Sequence, residues 1–595
     1  MSAVPTLARM RWTMLRRALR ENPAPMVAAL AGLLAAGWLL RYAVTGDRHT
    51  LTILTGAWVL GWIVLPLLLG GTRGRLRPAQ LRLEPITAAP MTIGLLAASA
   101  LGIGPAVSLL ALAALPVHAA VEHGPGAAAV AALGAVLLWL LGLTGSAVAV
   151  EAVGRAAGPV GAVLTGLFTG AVMGVSGSVW AVAPWIGLLL ITGPPPATFA
   201  ALERIPSDWP LAAATATPLV ATALLLGLAL LVGGGVAAYA LLVRRVITAG
   251  APFSPRRPAT NRARFSATPG PIRAVTVREL LSWVRHPLRL QYLTFAVVYG
   301  LLLGLLPLLA HVTLLAPWAG PLAVLWAAGM AASLVGLDGT ALWMPLLTPG
   351  GTGAETRGRA LAWLLLALPI GVLLTVAGIL VAPGVDPLPA LAVLPAVLGA
   401  GASTPVWVAL LRVRPVRDVR HPTAADNPTD IISVLLAMTG PLLAAAPAFA
   451  LAVWGPGGLR WLAPIVGLVT GVAVGRGALW LADDRLARRG TEILAAAGDR
   501  SAPPPPAVPL TWDPGWYREN RSTAWALVLL TAGWIPVLPQ GLLVLVLGAH
   551  GGWIAASHLG GDARTGVALG MVALGAAMLL TGLVLWGRRP LTAGQ

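Results

Sequence analysis

Fourteen stretches of this chain run to about 20 residues or more with almost no charge, and nothing else in it restricts the fold so strongly. A helix needs about 20 mostly apolar residues to cross the hydrocarbon core. Inside lipid, backbone N–H and C=O groups must be satisfied within the segment itself, which helices achieve. The expected fold class is therefore all-α, a polytopic membrane protein. The stretches lie near 26–44, 51–71, 90–117, 126–150, 159–192 and 212–243, then near 292–312, 317–337, 359–383, 387–411, 431–454 and 459–481. A last pair lies near 523–548 and 565–586. Only 10% of the 595 residues are charged, against about 25% in a soluble globular chain.

Residue types that are missing exclude several chemistries. There is no Cys and no Lys, so all 40 basic residues are Arg. The chain cannot supply a phosphate-loop or Schiff-base lysine, a thiol nucleophile, a Cys-ligated metal or a disulfide. Walker-type ATP hydrolysis is not expected in it, nor is a bound metal or cofactor. The Arg residues also set an orientation, because short cytoplasmic loops retain positive charge. With the N-terminus inside, external loops hold Arg41, Arg48, Arg204, Arg460 and Arg564, and the other Arg fall on the cytoplasmic side. A net charge of +19 spread over inner loops beside anionic lipid, without a nucleic-acid motif, predicts no nucleic-acid partner. Arg9 to Arg20 precedes an apolar run too long for a signal core, so the first span is expected to be retained.

The first twelve spans form two halves that align at an offset of 264 residues, the distance from Pro23 to Pro287. Each half opens with a basic segment leading into its first span, LARMRWTMLRRALRENP at 7–23 and VTVRELLSWVRHP at 275–287. At 100° per residue, Val277, Leu280, Leu281 and Val284 share one arc, with Arg278, Glu279, Ser282, Arg285 and His286 opposite. Arg9, Arg16, Arg17 and Arg20 likewise face away from Leu7, Met10, Met14 and Leu15, although Arg11 breaks the pattern. Both read as interfacial helices ended by proline, either as anchors alone or as contact surfaces. After the second span of each half comes an inner loop of about 20 residues with charges of both signs, GGTRGRLRPAQLRLEPITAAP at 70–90 and GLDGTALWMPLLTPGGTGAETRGRA at 336–360. An outer stretch at 191–210 has only WGPGG, 454–458, as its counterpart, so the halves diverge outside and agree inside.

The VRELLSWVRHP helix, the GLDGTALWMPLLTP loop, the DNPTDII approach to the eleventh span at 426–432 and the LADDRLARRGTEIL tail at 481–494 resemble the membrane subunit of type-2 ATP-binding-cassette (ABC) exporters. The similarity is to the long actinobacterial permeases that fuse both six-span halves, and it covers residues 5–495. It implies a two-half permease fold plus two extra C-terminal spans. The segments would be 1–250, a linker at 251–274, 275–500, a Pro-rich linker at 501–522, and 523–595. It implies further a multi-pass permease of a bacterial plasma membrane that exports an antibiotic, multidrug-type compound or natural product, with two copies of a cytoplasmic ABC ATPase as partners. Those partners would bring the ATP and Mg. By this resemblance Arg75, Arg77, Arg82 and Glu84, and in the second half Arg278, Glu279, Asp338, Thr340, Glu355 and Arg357, would contact the ATPase. The first loop lacks the pair Asp338-Gly339, and the two C-terminal spans have no counterpart in the family pattern.

A charge at mid-membrane costs about 2.5–3.5 kcal/mol, and no Asp, Glu or Arg falls at the centre of a span. That argues against ion coupling. Gly166, Gly170, Gly174 and Ser178 on the fifth span, and Gly467, Gly471 and Gly475 on the twelfth, repeat every fourth position and predict close helix packing. In related exporters the second and fifth spans of each half meet centrally. The resemblance therefore implies a pathway lined by Thr52, Thr55, Trp58, Trp62, Phe168, Thr169, Met173, Trp326, Met330, Ser333, Met438 and Thr439, suited to a hydrophobic or amphiphilic small molecule. Two alternatives remain open: an ion-coupled secondary transporter, or a membrane enzyme acting on a lipid-linked substrate through Asp483 and Asp484. The eight His form no metal-binding pattern, and Arg485, Arg488 and Arg489 flank the acidic pair.

Overall fold

A computed structural model of the chain describes residues 3–21, 24–68, 76, 78–81, 84, 86–155, 159–248, 270–310, 312–413, 431–498, 520–542, 544–545 and 554–587. Among them all regular structure is helical, and eleven helices are long and apolar enough to span a bilayer. The chain is a polytopic membrane protein. Each apolar stretch of the sequence has a helical counterpart. In the first half these are α1 (Ala3–Glu21), α2 (Ala24–Thr45), α3 (Arg48–Leu68), α4 (Ala88–Ala100), α5 (Ile103–Leu112), α6 (Ala114–His123), α7 (Pro125–Arg155) and α8 (Pro159–Thr192). The short α9 (Phe199–Leu202) and α10 (Trp209–Thr215) precede α11 (Pro218–Thr248). Then come α12 (Pro271–Arg285), α13 (Pro287–Leu305), α14 (Ala319–Met330), α15 (Leu334–Asp338), α16 (Trp343–Leu347), α17 (Gly351–Val381), α18 (Leu388–Leu411), α19 (Ile431–Trp454) and α20 (Ala463–Gly498). Arg521–Ala532 and Gly561–Gly587 belong to the C-terminal pair.

Three expected spans are interrupted. The stretch at 90–117 breaks between α4 and α5, where Gly102 is fully extended (φ 178, ψ 166) and Pro105 follows. Pro105 lies in the first turn of α5, where a missing backbone donor is tolerated, and its carbonyl accepts from Trp139 Nε1 at 2.8 Å. The stretch at 317–337 passes through a 3₁₀ turn at Ala331–Ser333. The span expected at 523–548 leaves α-helix after Ala532 and continues as wide turns over Pro536–Leu542.

The chain divides into two compact units, and the division falls within the second half. One comprises 1–327, 357–398 and 445–470; the other comprises 328–356, 399–444 and 471–595. In the first unit the small residues of α8 meet α13. A Cβ at Gly166 would stand 2.5 Å from Gln291 O, one at Gly170 2.8 Å from Phe295 O, and one at Gly174 2.7 Å from Leu302 Cβ. Backbone therefore lies against backbone, and Ser178 Oγ donates to Leu302 O at 3.3 Å. In the second unit a Cβ at Gly475 would lie 2.6 Å from Gly399 O, the same device on α20 and α18.

The outer stretch is tied to the start of α3. Asp208 is fully buried and accepts from Arg48 Nη2 at 2.9 Å and Thr52 Oγ1 at 2.9 Å, while His49 stacks on Phe199 at 3.8 Å. α20 is 36 residues long, more than the hydrocarbon core requires, and from Gly471 on it belongs to the second unit. Its tail kinks at Arg489 (φ −123, ψ 24) and carries Leu486, Ile493 and Ala497 into a core with Val335, Leu342 and Leu410.

Candidate functional site

The two leading helices occupy equivalent places, each against the first turns of its half's third span. In the first half Leu7 of α1, 3% exposed, packs with Met91 and Leu95 of α4 and with Tyr239 and Val243 of α11. Burying a leucine in this way is worth about 1.5–3 kcal/mol. Leu76, Leu81 and Ile86 of the following loop close over the same cluster. Arg11, which breaks the pattern of α1, reaches the interruption at Gly102, and burial lowers its pKa.

The second half uses different chemistry. Pro271 opens α12 at the first helical position and His286 ends it in an extended conformation (ψ 119) before Pro287. Gly358 lets α12 close on α17, since a Cβ there would come within 2.5 Å of Val275 Cγ1. The inward side of α12 carries Thr276, Glu279 and Trp283. Glu279, 2% exposed, accepts from Arg289 Nη1 and from Arg278 Nη2 (2.9 Å), with Arg359 Nη2 at 3.9 Å. Burial by itself would raise the Glu279 pKa. The guanidinium groups of Arg359, Arg289 and Arg278 outweigh it and bring the group down to about 2. Glu279 therefore holds α12 onto α13 and α17, and does not face outward with Arg278 as the helical wheel suggests.

The other residues expected to meet a partner are placed unevenly. Arg75, Arg77 and Arg82 lie outside the described residues. Glu84, Thr340 and Arg357 are exposed, Arg278 is 42% exposed and Asp338 is half-buried. Glu355 is 2% exposed, which removes it from an outward role. Its neighbour Thr356 donates to Asp483, and Asp484 pairs with Arg488 at 2.7 Å, so both carboxylates of the acidic pair have local partners. Among the described residues no three carboxylate or imidazole side chains converge on a metal-sized site.

The sequence reading missed α16. The segment Ala316–Leu347 is 32 residues long, and its helix ends at Asp338, so α16 follows the end of the eighth apolar stretch. Gly339, at φ +55, turns the chain there and lies beside Ala497 O. Leu342 and Leu346 fasten α16 onto the α20 tail, whereas Trp343, Met344 and Leu347 are 50%, 53% and 76% exposed. The signal was the apolar ALWMPLL run inside a loop read as polar. The first half places the short turn Pro78–Leu81 at the corresponding repeat position.

Several of the expected pathway residues are buried against neighbouring helices of their own unit. Thr52 and Thr55 are fully buried, Thr52 donating to Asp208 and Thr55 to Leu51 O, so neither hydroxyl faces an opening. Trp58 Nε1 donates to Ser108 Oγ at 3.1 Å, and Trp62 packs beside Trp139. Trp326 packs on Phe295 and Tyr299. Phe168 and Thr169 are half-buried on α8, and Met173 is 45% exposed. In the second unit Met438, 8% exposed, touches Gly329 beside the half-buried Met330; Ser333 is buried and Thr439 exposed. Comparison with protein-family models, with curated proteins and with solved structures gave no match.

Proposed function

We propose that this chain is the membrane-spanning permease of an ATP-driven exporter, with two six-span halves and two further spans. It would sit in a bacterial plasma membrane with its N-terminus cytoplasmic. It provides the route for a hydrophobic or amphiphilic compound, and a separate ATPase, present in two copies, supplies the stroke. The observation that carries the reading is α16: a short helix beyond the end of a span, braced on one side by Leu342 and Leu346 and presenting Trp343, Met344 and Leu347 on the other. Exposed apolar side chains on a short helix just after a span suit contact with another protein. Thr340 and Arg357 add exposed polar groups on neighbouring sequence. A related but smaller element at Pro78–Leu81, with Glu84 exposed, supports two contacts of unequal size.

The test is co-purification of the full chain with a co-expressed candidate ATPase. Trp343→Ser with Leu347→Ser should abolish the complex and reduce permease-dependent ATP hydrolysis at least tenfold while leaving the chain's own unfolding midpoint unchanged. Uphill substrate movement by the chain alone in liposomes, driven by a proton gradient without ATP, would establish the ion-coupled alternative instead.

A further inference from the structure

Along the side of α12 that faces α17 runs a groove of about 550 Å³. Its walls are apolar: Ile272, Val277 and Leu280 on the helix, and Leu361 and Leu365 on α17, the last two 41% and 49% exposed. Arg273 stands at one end. A second groove, on the other side of α12, is more polar, lined by Arg278, Ser282, Arg285 and His286 beside Leu281. Arg273 and Arg285 are both exposed, and among the described residues neither pairs with a carboxylate. The only acid on α12 is Glu279, which faces inward to Arg289 and Arg278. The groove facing α17 is therefore mainly apolar and carries positive charge at Arg273, with no acid beside it.

We infer that the groove between α12 and α17 is a binding site for an anionic phospholipid, with an acyl chain against Val277, Leu280, Leu361 and Leu365 and the headgroup phosphate on Arg273. The occupant follows from charge complementarity and surroundings. In a polytopic membrane protein, exposed leucines at the end of a span meet acyl chains, and arginine beside them carries its guanidinium to phosphate depth. A zwitterionic lipid satisfies the leucines but its phosphate is already balanced by its own ammonium, so the arginine's charge stays uncompensated; a free anion compensates the charge and leaves the leucines bare. The site depends on the fold and on no partner, so it stands or falls separately from the exporter reading.

The full chain, purified in detergent, would be titrated with phosphatidylglycerol and with phosphatidylcholine of the same acyl chains, and retained lipid counted by native mass spectrometry. Phosphatidylglycerol should be held preferentially. Arg273→Gln should lower that preference about fivefold, as expected for one basic group at a lipid surface. Arg244→Gln, an exposed arginine at the end of α11, should leave it unchanged. Leu361→Trp, which fills the groove without altering charge, should reduce retention of both lipids. Equal retention of the two lipids in the wild type overturns the inference, as does an equal effect of the two arginine substitutions, which would mean general surface charge. Stabilisation by inorganic phosphate to the same degree as by phosphatidylglycerol would make the site an anion site, and insensitivity to Leu361→Trp would place the lipid elsewhere. Loss of phosphatidylglycerol on adding an ATPase partner would identify a protein as the occupant.

Discussion

Replacing Glu279 with Gln tests how α12 is held. The side chain is 2% exposed and faces Arg289, itself 1% exposed, with Arg278 and Arg359 beside it. Its ordinary pKa of 4.5 falls to about 2 in the folded chain. That interval corresponds to about 3 kcal/mol of stabilisation from the ionised form. Because the folded value is the lower one, the contribution is complete above about pH 4.5 and is lost as the pH falls towards 2. Glu279→Gln keeps the shape and removes the charge, so α12 should detach about 100-fold more often at neutral pH. With no lysine in the chain, trypsin cuts only after arginine, and cleavage after Arg285 requires α12 to open. When opening and closing outpace cleavage, the cutting rate reports the open population. Timed digestion in micelles, read by peptide mass spectrometry, should show the variant cut after Arg285 about two orders of magnitude faster, with its rate flat from pH 8 to pH 4. The wild-type rate should climb towards that of the variant under acid, measured with an acid-tolerant protease at the same helix. A difference under threefold at neutral pH, or parallel pH profiles, would refute the argument that charge seats this helix.

Three further outcomes follow from the packing. Gly170→Val should destabilise by more than about 2 kcal/mol in a thermal unfolding assay, because even a Cβ there would meet Phe295 O at 2.8 Å. Thr52→Val should cost about 1.5–3 kcal/mol, since its hydroxyl serves the buried Asp208 carboxylate, and it should leave substrate affinity unaltered in a binding titration. Asp386→Ala, by contrast, removes an ion pair with Arg460 in which the two side chains are 49% and 35% exposed, and should shift the unfolding free energy by less than about 1 kcal/mol.

The spans were legible because a run of apolar residues long enough to cross a bilayer has few other uses. The leading helices were legible from periodicity, and their proline ends hold at Pro287. What periodicity could not supply was direction. Glu279 shares an arc with Arg278 and Arg285, and only the positions of Arg289 and Arg359, 10 and 80 residues away, turn it inward. The hydroxyls of Thr52 and Thr55 could not be told from cavity groups by sequence, because a helical threonine can satisfy itself on its own backbone, as Thr55 does on Leu51. The break at Gly102 was hidden within an unbroken apolar run that contains Pro105. The apolar residues of α16 are masked in the sequence by the Gly, Pro and charged residues around them, which mark a polar loop.

The two leading helices rest on unlike supports, leucine and methionine around Leu7 in one half and an acid among arginines in the other. The two joints are alike in place and differ in what holds them. Strong acid, as the pH falls towards 2, discharges a carboxylate and leaves hydrocarbon untouched, so one leading helix can be loosened while the other stays clamped.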